Sequence, residues 1–580
     1  MFVIFEILLS SVAQGEPLTN EGLIAFWQNL YPSQNRASQP VYGHEMLAKA
    51  TPDECFYGIG DSRNDYLASS CPNPGVLKVN ETVIWGLVQS GDKLWFGTLA
   101  NSRCTSGGDP IYGPTPFAND LLVCEFGESK ISPPFPDPFG DWRPPAIYVY
   151  RLGTRELQKK MYLFPTSMGG LPIITGIRGG GSLDGIVFLG GGSGVPKTPL
   201  MGVTLLAFDS ETETFLGWHE LKDPQGQPYI NIRPWKAHNG HLYVGVWKEG
   251  GGRILRWLGD PEAIKKGDLR TLWQFEEVGR VDQQPANMSV YEGRLVVGTW
   301  PMENSGQTAD LYNGGAVWLS PPFDDHLTSQ DVDKWVRVWS YAEYEPNLTN
   351  NLTNGIGALH EYGGYLWWGT QQPPGRGWLA HKEFYAQKIP GYPNETQDAA
   401  AFYGTWRPTS LFRGRHLGTA DQEVEIVYGF EFLPTFVMDT GTPYWELRKN
   451  KMGKKPLWGP GGFGNFYLFY TYSMGVQGGR LLIGTNEISL RFAVQETPFP
   501  MPVPSDKNLW GAELWRIDNA EMPAVAETID GFGGFTSTSM KSIIVSSEAV
   551  YLAVGNPHNL LTNSDDAVPD GGWELWALRP

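Results

Sequence analysis

The chain has 580 residues, with 44 Lys and Arg against 62 Asp and Glu, a formal net charge of −18 and a pI near 5.0. This balance argues against nucleic acid or an anionic membrane as a partner, since both recruit basic surfaces. The 71 glycines and 45 prolines point to many turns, and the 13% aromatic content to broad packed sheets.

From the N-terminus, residues 1–15 read as a secretory signal peptide. Residues 2–5 and 7–9 are apolar, and Ser11-Val12-Ala13 resembles a small-residue cleavage site, although Glu6 interrupts the run and no basic residue precedes it. The run is too short for a transmembrane helix. Residues 16–80 are expected to form a rim segment, with residues 21–27 its best helical candidate. No sustained helical period follows that region. The four cysteines, Cys55, Cys71, Cys104 and Cys124, contain no Cys-x-x-Cys spacing, which disfavours zinc. Three disulfide pairings are open, and local loop closure favours Cys55–Cys71 with Cys104–Cys124.

Residues 81–580 are organised by a recurring phrase, Gly-x-Leu-aromatic-aliphatic-Gly-Thr. It stands at Gly91–Thr98, Gly240–Val246, Gly293–Thr299, Gly364–Thr370 and Gly479–Thr485, with looser copies at 185–190 and 549–555. Each copy is a short apolar run entered through a Gly-containing turn, the pattern of a strand after a tight hairpin. Another apolar stretch precedes each copy and a third strand follows, as in Ala316-Val317-Trp318-Leu319, Glu513-Leu514-Trp515-Arg516 and Glu574-Leu575-Trp576-Ala577. Four antiparallel strands repeated seven times predict an all-β fold, a seven-bladed β-propeller. The long interval from Leu366 to Leu481 leaves room for an eighth blade or a large insertion. The last strand ends at the C-terminus without a fourth, and residues 76–79 are expected to supply the outer strand beside Trp576.

The turns between first and second strands are short, and most links from second to third strands are long. One face is therefore bare and the other carries the loops, where a ligand site is expected at the mouth of the central channel. The ends of second strands place Asn101, Trp247, Trp300, Gln371, Asn486 and Asn556 there, with His558 just beyond. The starts of first strands place Asn231, Arg233, Asn354 and Ser473 there. Trp142, Trp378, Trp406 and Trp458 are expected as exposed loop aromatics, and Trp142-Arg143-Pro144-Pro145 and Trp406-Arg407 as sugar-stacking or peptide surfaces. Sequons occur at Asn80, Asn287, Asn347, Asn351 and Asn394; glycans are expected on Asn347, Asn351 and Asn394, whereas Asn287 is expected buried and bare. His238 and His241 lie on a tight turn and are expected not to hold a metal. Residues 179–181 and 190–192 precede no helix and are not phosphate loops. No Gly-x-Ser-x-Gly elbow is present.

Lys78-Val79-Asn80, the stretches 83–87 and 94–98, Cys124-Glu125-Phe126-Gly127-Glu128-Ser129 and Gly140-Asp141-Trp142-Arg143-Pro144-Pro145 resemble a group of large secreted propeller-like proteins of unknown function, most specifically over residues 78–150. The resemblance implies secretion and the fold, and no reaction. Three functions remain in view. The first is an extracellular binding or assembly module for a glycan, peptide or protein. The second is a secreted hydrolase or lyase with a channel-mouth site, with calcium as a candidate cofactor held by Asn and Asp. The last is a quinoprotein oxidoreductase, suggested only by Ala207-Phe208-Asp209-Ser210-Glu211-Thr212 before Trp218.

Overall fold

The computed structural model describes residues 17–31, 36–67, 70–105, 115–131, 141–162, 174–193, 202–301, 314–373, 375–438, 442–494, 503–560 and 571–580. The expected signal peptide lies outside the described residues.

The protein is mostly β, built from antiparallel sheets in chain order. The first sheet joins Glu81–Ser90, Lys93–Ala100, Ala146–Arg151 and Glu156–Tyr162; the second joins Gly179–Leu183, Ile186–Ser193, Gly202–Asp209 and Thr214–Leu221. The third comprises Asn231–His238, His241–Lys248, Gly251–Trp257 and Phe275–Val281, and the fourth Gln284–Tyr291, Arg294–Trp300, Ala316–Leu319 and Val336–Ser340. Three further groups of four follow. The fifth is Gly355–Tyr362, Tyr365–Gln371, Leu411–Arg415 and Glu423–Tyr428; the sixth is Leu468–Gln477, Arg480–Glu487, Leu514–Ile517 and Val525–Thr528. The seventh is Ser539–Val545, Val550–Gly555 and Glu574–Arg579, completed by Gly43–Lys49 from the N-terminal region. Single residue pairs, Gln371 with Tyr470 and Asn486 with Ser539, join the last three groups into one continuous hydrogen-bonded sheet.

The strand beside Trp576 is therefore Gly43–Lys49, where Met46 pairs with Trp576 and Lys49 Nζ lies 3.0 Å from Glu574 Oε1. Residues 76–79 do not take that place. Val76–Lys78 pairs with Glu54–Phe56 in a small sheet that the Cys55–Cys71 disulfide crosses. Lys78 is instead drawn into a fully buried ion network, with Nζ 3.2 Å from both Glu54 and Glu125, while Arg143 sits 3.0 Å from Glu54 and 3.3 Å from Glu125. A buried cation needs such partners, and this requirement outweighs the apolar pattern of residues 76–79. The second disulfide is Cys104–Cys124.

The repeat phrase has a physical basis at each position. In five of the seven copies its turn holds two residues in the left-handed region, as at Asn239 (φ 48°) and Gly240 (φ 73°), which matches the twist of the flanking strands. Its second glycine faces the next sheet: a Cβ on Gly97 would lie 2.3 Å from Ile177 Cβ, and one on Gly369 would lie 2.4 Å from Thr471 Cβ. The threonine that follows accepts the first amide of the third strand. Ala146 N lies 2.9 Å from Thr98 Oγ1, Ala316 N lies 2.9 Å from Thr299 Oγ1, and Glu513 N lies 3.1 Å from Thr485 Oγ1. In the sixth and seventh sheets the Glu-Leu-Trp third strand closes on itself, with Trp515 Nε1 2.8 Å from Glu513 and Trp576 Nε1 2.8 Å from Glu574.

Adjacency follows a cycle. The first strand of each sheet lies beside the first strand of the next, and Ser539–Val545 of the seventh lies beside Glu81–Ser90 of the first. Apolar residues fill the spaces between neighbouring sheets, for example Trp95, Ile177, Leu189 and Phe208 between the first and second.

The three longest helices among the described residues gather in one place. Between the second and third strands of the fifth sheet the chain forms Arg376–Ala386 and Glu395–Thr405, and the N-terminal helix Asn20–Leu30 packs against them. Trp27 donates its indole N–H to Tyr403 O at 2.9 Å. These helices are short and weakly amphipathic because several faces are covered, and so the sequence carries no sustained helical period there. Trp378 and Trp406 are buried in this layer, and Trp142 is buried as well. Trp458 is half-buried against Trp367. Trp142-Arg143 and Trp406-Arg407 are internal brackets rather than surfaces. Each indole reaches a carbonyl just before the next sheet (Ile174 O at 3.1 Å and Phe466 O at 3.2 Å), and each arginine pairs with a buried glutamate, Arg407 with Glu345 at 2.8 Å.

Among the sequons, Asn347 is fully buried, bonded to Thr349 Oγ1 at 3.2 Å and to Phe436 N at 3.2 Å, so the folded chain offers no room for a glycan there. Asn80 is buried too, and Asn287 is half-buried with its amide on Gly357 O. Asn351 is half-buried in Leu348–Thr353; Asn394 is exposed at a helix N-cap.

Candidate functional site

The first strands start, and the second strands end, at the side opposite the tight turns. A cavity of about 570 Å³ opens there, and all seven sheets contribute to its wall: Trp85, Arg178, Arg233, Trp300, Gln371, Tyr472 and Lys541 are one representative from each. Arg178 immediately precedes its strand, and the others lie within theirs. Of the links from second to third strands, only that of the third sheet is tight, between Lys248 and Gly251.

Seven of the eleven sequence-nominated residues line this cavity: Asn231, Arg233, Trp247, Trp300, Gln371, Asn486 and His558. The other four hold the scaffold. Asn101, with φ 42°, donates to Asn80 Oδ1 at 2.9 Å and accepts from Asn559 at 2.8 Å. Ser473 donates to Met540 O at 2.9 Å between two sheets. Asn556 donates to Thr536 Oγ1 at 2.8 Å and accepts from His558 N at 3.2 Å. Asn354 is buried where its backbone ends the helix Leu348–Thr353. The side chains of Asn101, Ser473 and Asn556 serve the scaffold, the ordinary use of such residues, while Asn354 contributes through its backbone.

The cavity is cationic in an acidic protein. Arg103, Arg178, Arg233, Arg376, Arg491 and Lys541 line it, against one carboxylate among the described lining residues, Glu487. Three of the cations lie on aromatic faces: Arg178 is 4.3 Å from the Trp85 ring centre, Arg233 is 3.7 Å from Trp300, and Lys541 is 3.7 Å from Tyr472. Arg178 also donates to Asn231 Oδ1 at 2.9 Å, and Asn231 in turn donates to Gln284 Oε1 at 2.6 Å. Burial, reinforced by Arg233, lowers Arg178 to about 9. Burial, then Arg233 and Arg178, drive Lys541 well below the usual lysine range. Like charges thus face one another across the wall.

Glu487 is buried, and burial raises its carboxyl to about 7 despite hydrogen bonds from Ser489. His558 is fully buried, and burial followed by Arg103 lowers it to about 3. Its ring is neutral at ordinary pH, with Nδ1 3.3 Å from Thr536 O, which leaves Nε2 as an acceptor without a partner among the described residues. The lining does not suit calcium, which takes six to eight oxygens with carboxylates prominent: six cations and a single carboxylate oppose a divalent cation.

On the tight-turn side, His241 is grouped with Asp325 and His326, whose ligand atoms lie within 4.8 Å of one another. His238 instead faces Gly293 O at 3.3 Å. The trio could hold a transition metal by residue type. Asp209, in the stretch compared with a quinoprotein motif, accepts from Glu211 N at 2.8 Å and Thr212 N at 3.3 Å, which makes it an ordinary Asx turn between strands.

Sequence reasoning missed Arg178, Lys541, Tyr470, Tyr472 and the further arginines. A usable signal was present: Arg178, Arg233 and Tyr472 each stand seven positions before the turn glycine of their own sheet, Gly185, Gly240 and Gly479. Equal spacing from equal turns places them at one level of the wall.

No protein-family model matches the chain, and no curated protein matches it. Solved structures overlap it weakly. A computationally designed protein, Ika8, does so at TM-score 0.34 and 8% identity, over 86% of this chain and 96% of its own. A puromycin-hydrolyzing peptidase of Mycobacterium tuberculosis overlaps at 0.34 and 10%, over 84% of this chain and 52% of the peptidase. A prolyl endopeptidase overlaps at 0.35 and 10%, over 83% and 47%. The chain thus spans about half the length of these peptidases, and scores at this level assign it neither a blade number nor an activity.

Proposed function

We propose that the chain is a seven-bladed β-propeller acting as an extracellular binding module, with its ligand held in the cavity on the side away from the tight turns. The seven sheets are the blades, residues 16–80 form a rim segment, and Gly43–Lys49 closes the ring with the C-terminal strand. The observation that carries this reading is a single cavity walled by all seven sheets. The cyclic adjacency of first strands supports closure, since a ring removes the open edges on which sheets aggregate. Two disulfides accord with an oxidising compartment.

The test is binding of the purified protein to arrays of extracellular glycans and peptides, repeated with Trp247→Ala in the cavity and Asn239→Gly on a tight turn. Ligands captured by the native protein should be lost with Trp247→Ala and kept with Asn239→Gly. Capture that ignores the cavity variant and fails with the turn variant contradicts the reading.

A hydrolase or lyase is the second reading, carried by Glu487. It is the one carboxylate in the described wall, and its pKa of about 7 suits a general acid or base at neutral pH. If the cavity is catalytic, Glu487→Gln abolishes turnover while leaving ligand capture in place; unchanged turnover sinks this reading.

A further inference from the structure

The cavity wall concentrates positive charge where the rest of the molecule is acidic, and three of its cations have no carboxylate to meet. Among the described residues, no carboxylate pairs with Arg178, Arg233 or Lys541; Arg233 acts on Arg178, and both arginines act on Lys541, with the same sign of charge. Their positions are fixed by other means. Arg178 is held on Trp85 and tied to Asn231, Arg233 lies on Trp300, and Lys541 lies on Tyr472. Aromatic faces hold cations without neutralising them, so the donors stay oriented and the positive potential stays in the cavity. A buried Nε–H on Arg178 also has no partner among the described residues. Holding like charges together in a partly dry wall is costly. Such a cost is normal where the charges serve a ligand of opposite sign.

We propose that this cavity is an anion site, in which Arg178, Arg233 and Lys541 receive a compact ligand bearing at least two oxyanion groups. The inference rests on the binding-module reading and supplies its ligand class. Carboxylate, sulfate and phosphate share the required chemistry: planar or tetrahedral oxygens that accept two N–H donors from one guanidinium. Two groups are called for because six cations line the cavity against one carboxylate among the described lining residues, and Arg178, Arg233 and Lys541 reach it from three different sheets. The volume of about 570 Å³ admits a tricarboxylate, a pyrophosphate or an acidic disaccharide and excludes a folded partner. The acidic exterior repels large polyanions, so selectivity for small ones follows from charge distribution alone.

The experiment is isothermal titration calorimetry at pH 6.5 and low salt with four probes: citrate, inorganic pyrophosphate, a digalacturonate and neutral lactose. One or more of the three anions should bind at one site while lactose does not, and the anion that binds names the source of the oxyanions. Arg233→Gln and Lys541→Met should each weaken that binding at least tenfold, and Arg415→Gln, exposed at the end of the third strand of the fifth sheet, should leave it within twofold. Melting curves confirm that each variant is folded; should Arg233→Gln fail to fold, Lys541→Met alone decides. Binding of lactose as tight as the anions, and lost with Lys541→Met, overturns the anion inference and keeps the binding module. Anion binding unchanged in the variants, or no binding by any anion, overturns the inference as well.

Discussion

The guanidinium of Arg233 lies 3.7 Å from the centre of the Trp300 ring, and the two residues come from adjacent sheets. Trp300 is itself fixed, since its indole N–H donates to Ile356 O at 3.0 Å in the next sheet again. One arginine is thus oriented by a chain of contacts running through three sheets. Replacing Trp300 with Leu keeps an apolar side chain and removes the ring face, worth about 1 kcal/mol for a partly desolvated pair. We expect ligand affinity to fall about fivefold, the same energy read as an equilibrium constant, with little change in melting temperature. Calorimetric titration of Trp300→Leu against the best-binding probe checks this.

Binding should weaken as pH rises. Lys541 is held below its usual range by burial and by Arg233 and Arg178, and an anion beside it favours the protonated form. The ligand therefore brings a proton with it wherever the free lysine is neutral. Glu487 acts in the same direction, because above about 7 it adds a negative charge to the wall. His558, near 3, stays neutral throughout, and Tyr472, on which Lys541 rests, stays protonated because burial raises it. Affinity measured from pH 6 to pH 9 should decline steadily, and in Lys541→Met the decline should be shallower.

Glu81 predicts a stability effect of definite sign. It is fully buried at the start of its strand, and burial followed by Asp53 raises its carboxyl from 4.5 to about 8. The folded chain keeps a proton that the unfolded chain releases, so this stabilisation is complete below about 4.5 and is lost as pH rises through about 8. Asp53, raised to about 6 by burial, adds a loss of the same sign over a lower range. Glu81→Gln holds the uncharged form at all pH. Its melting temperature should match the native protein near pH 5 and exceed it at pH 8.5.

The threonine of the repeat phrase predicts a local cost. Thr299 Oγ1 accepts from Ala316 N at 2.9 Å and donates to Ala316 O at 3.1 Å, all in a buried setting. Thr299→Val is nearly isosteric and leaves that amide without its acceptor, at a cost of about 1–3 kcal/mol. Chemical denaturation should show the midpoint shift with an unchanged slope.

The mostly β build from antiparallel sheets was legible in the sequence because its signals are local. Gly240, Gly293 and Gly364 mark turns, Gly97 and Gly369 mark close approach, and Thr98 and Thr485 mark third strands; each does so within a few residues of its own position. The partner of Trp576 was not legible, because pairing across more than 500 positions leaves no local trace and both Gly43–Lys49 and Val76–Lys78 suit an outer strand. The candidate site was half legible. Asn231, Arg233, Trp247 and Trp300 follow from strand ends, whereas Arg178 and Lys541 acquire meaning only beside each other. The exposed reading of Trp142 and Trp406 fails for a related reason: a loop that is long enough builds its own core, as helices Arg376–Ala386 and Glu395–Thr405 do.

The most direct measurement is anomalous diffraction from crystals soaked in tungstate, an oxyanion visible by its scattering. A peak inside a ring of seven sheets, within hydrogen-bond reach of Arg178, Arg233 and Lys541, is the result expected. Tungstate found only on the outer surface, or first strands that do not enclose a common cavity, would contradict the account.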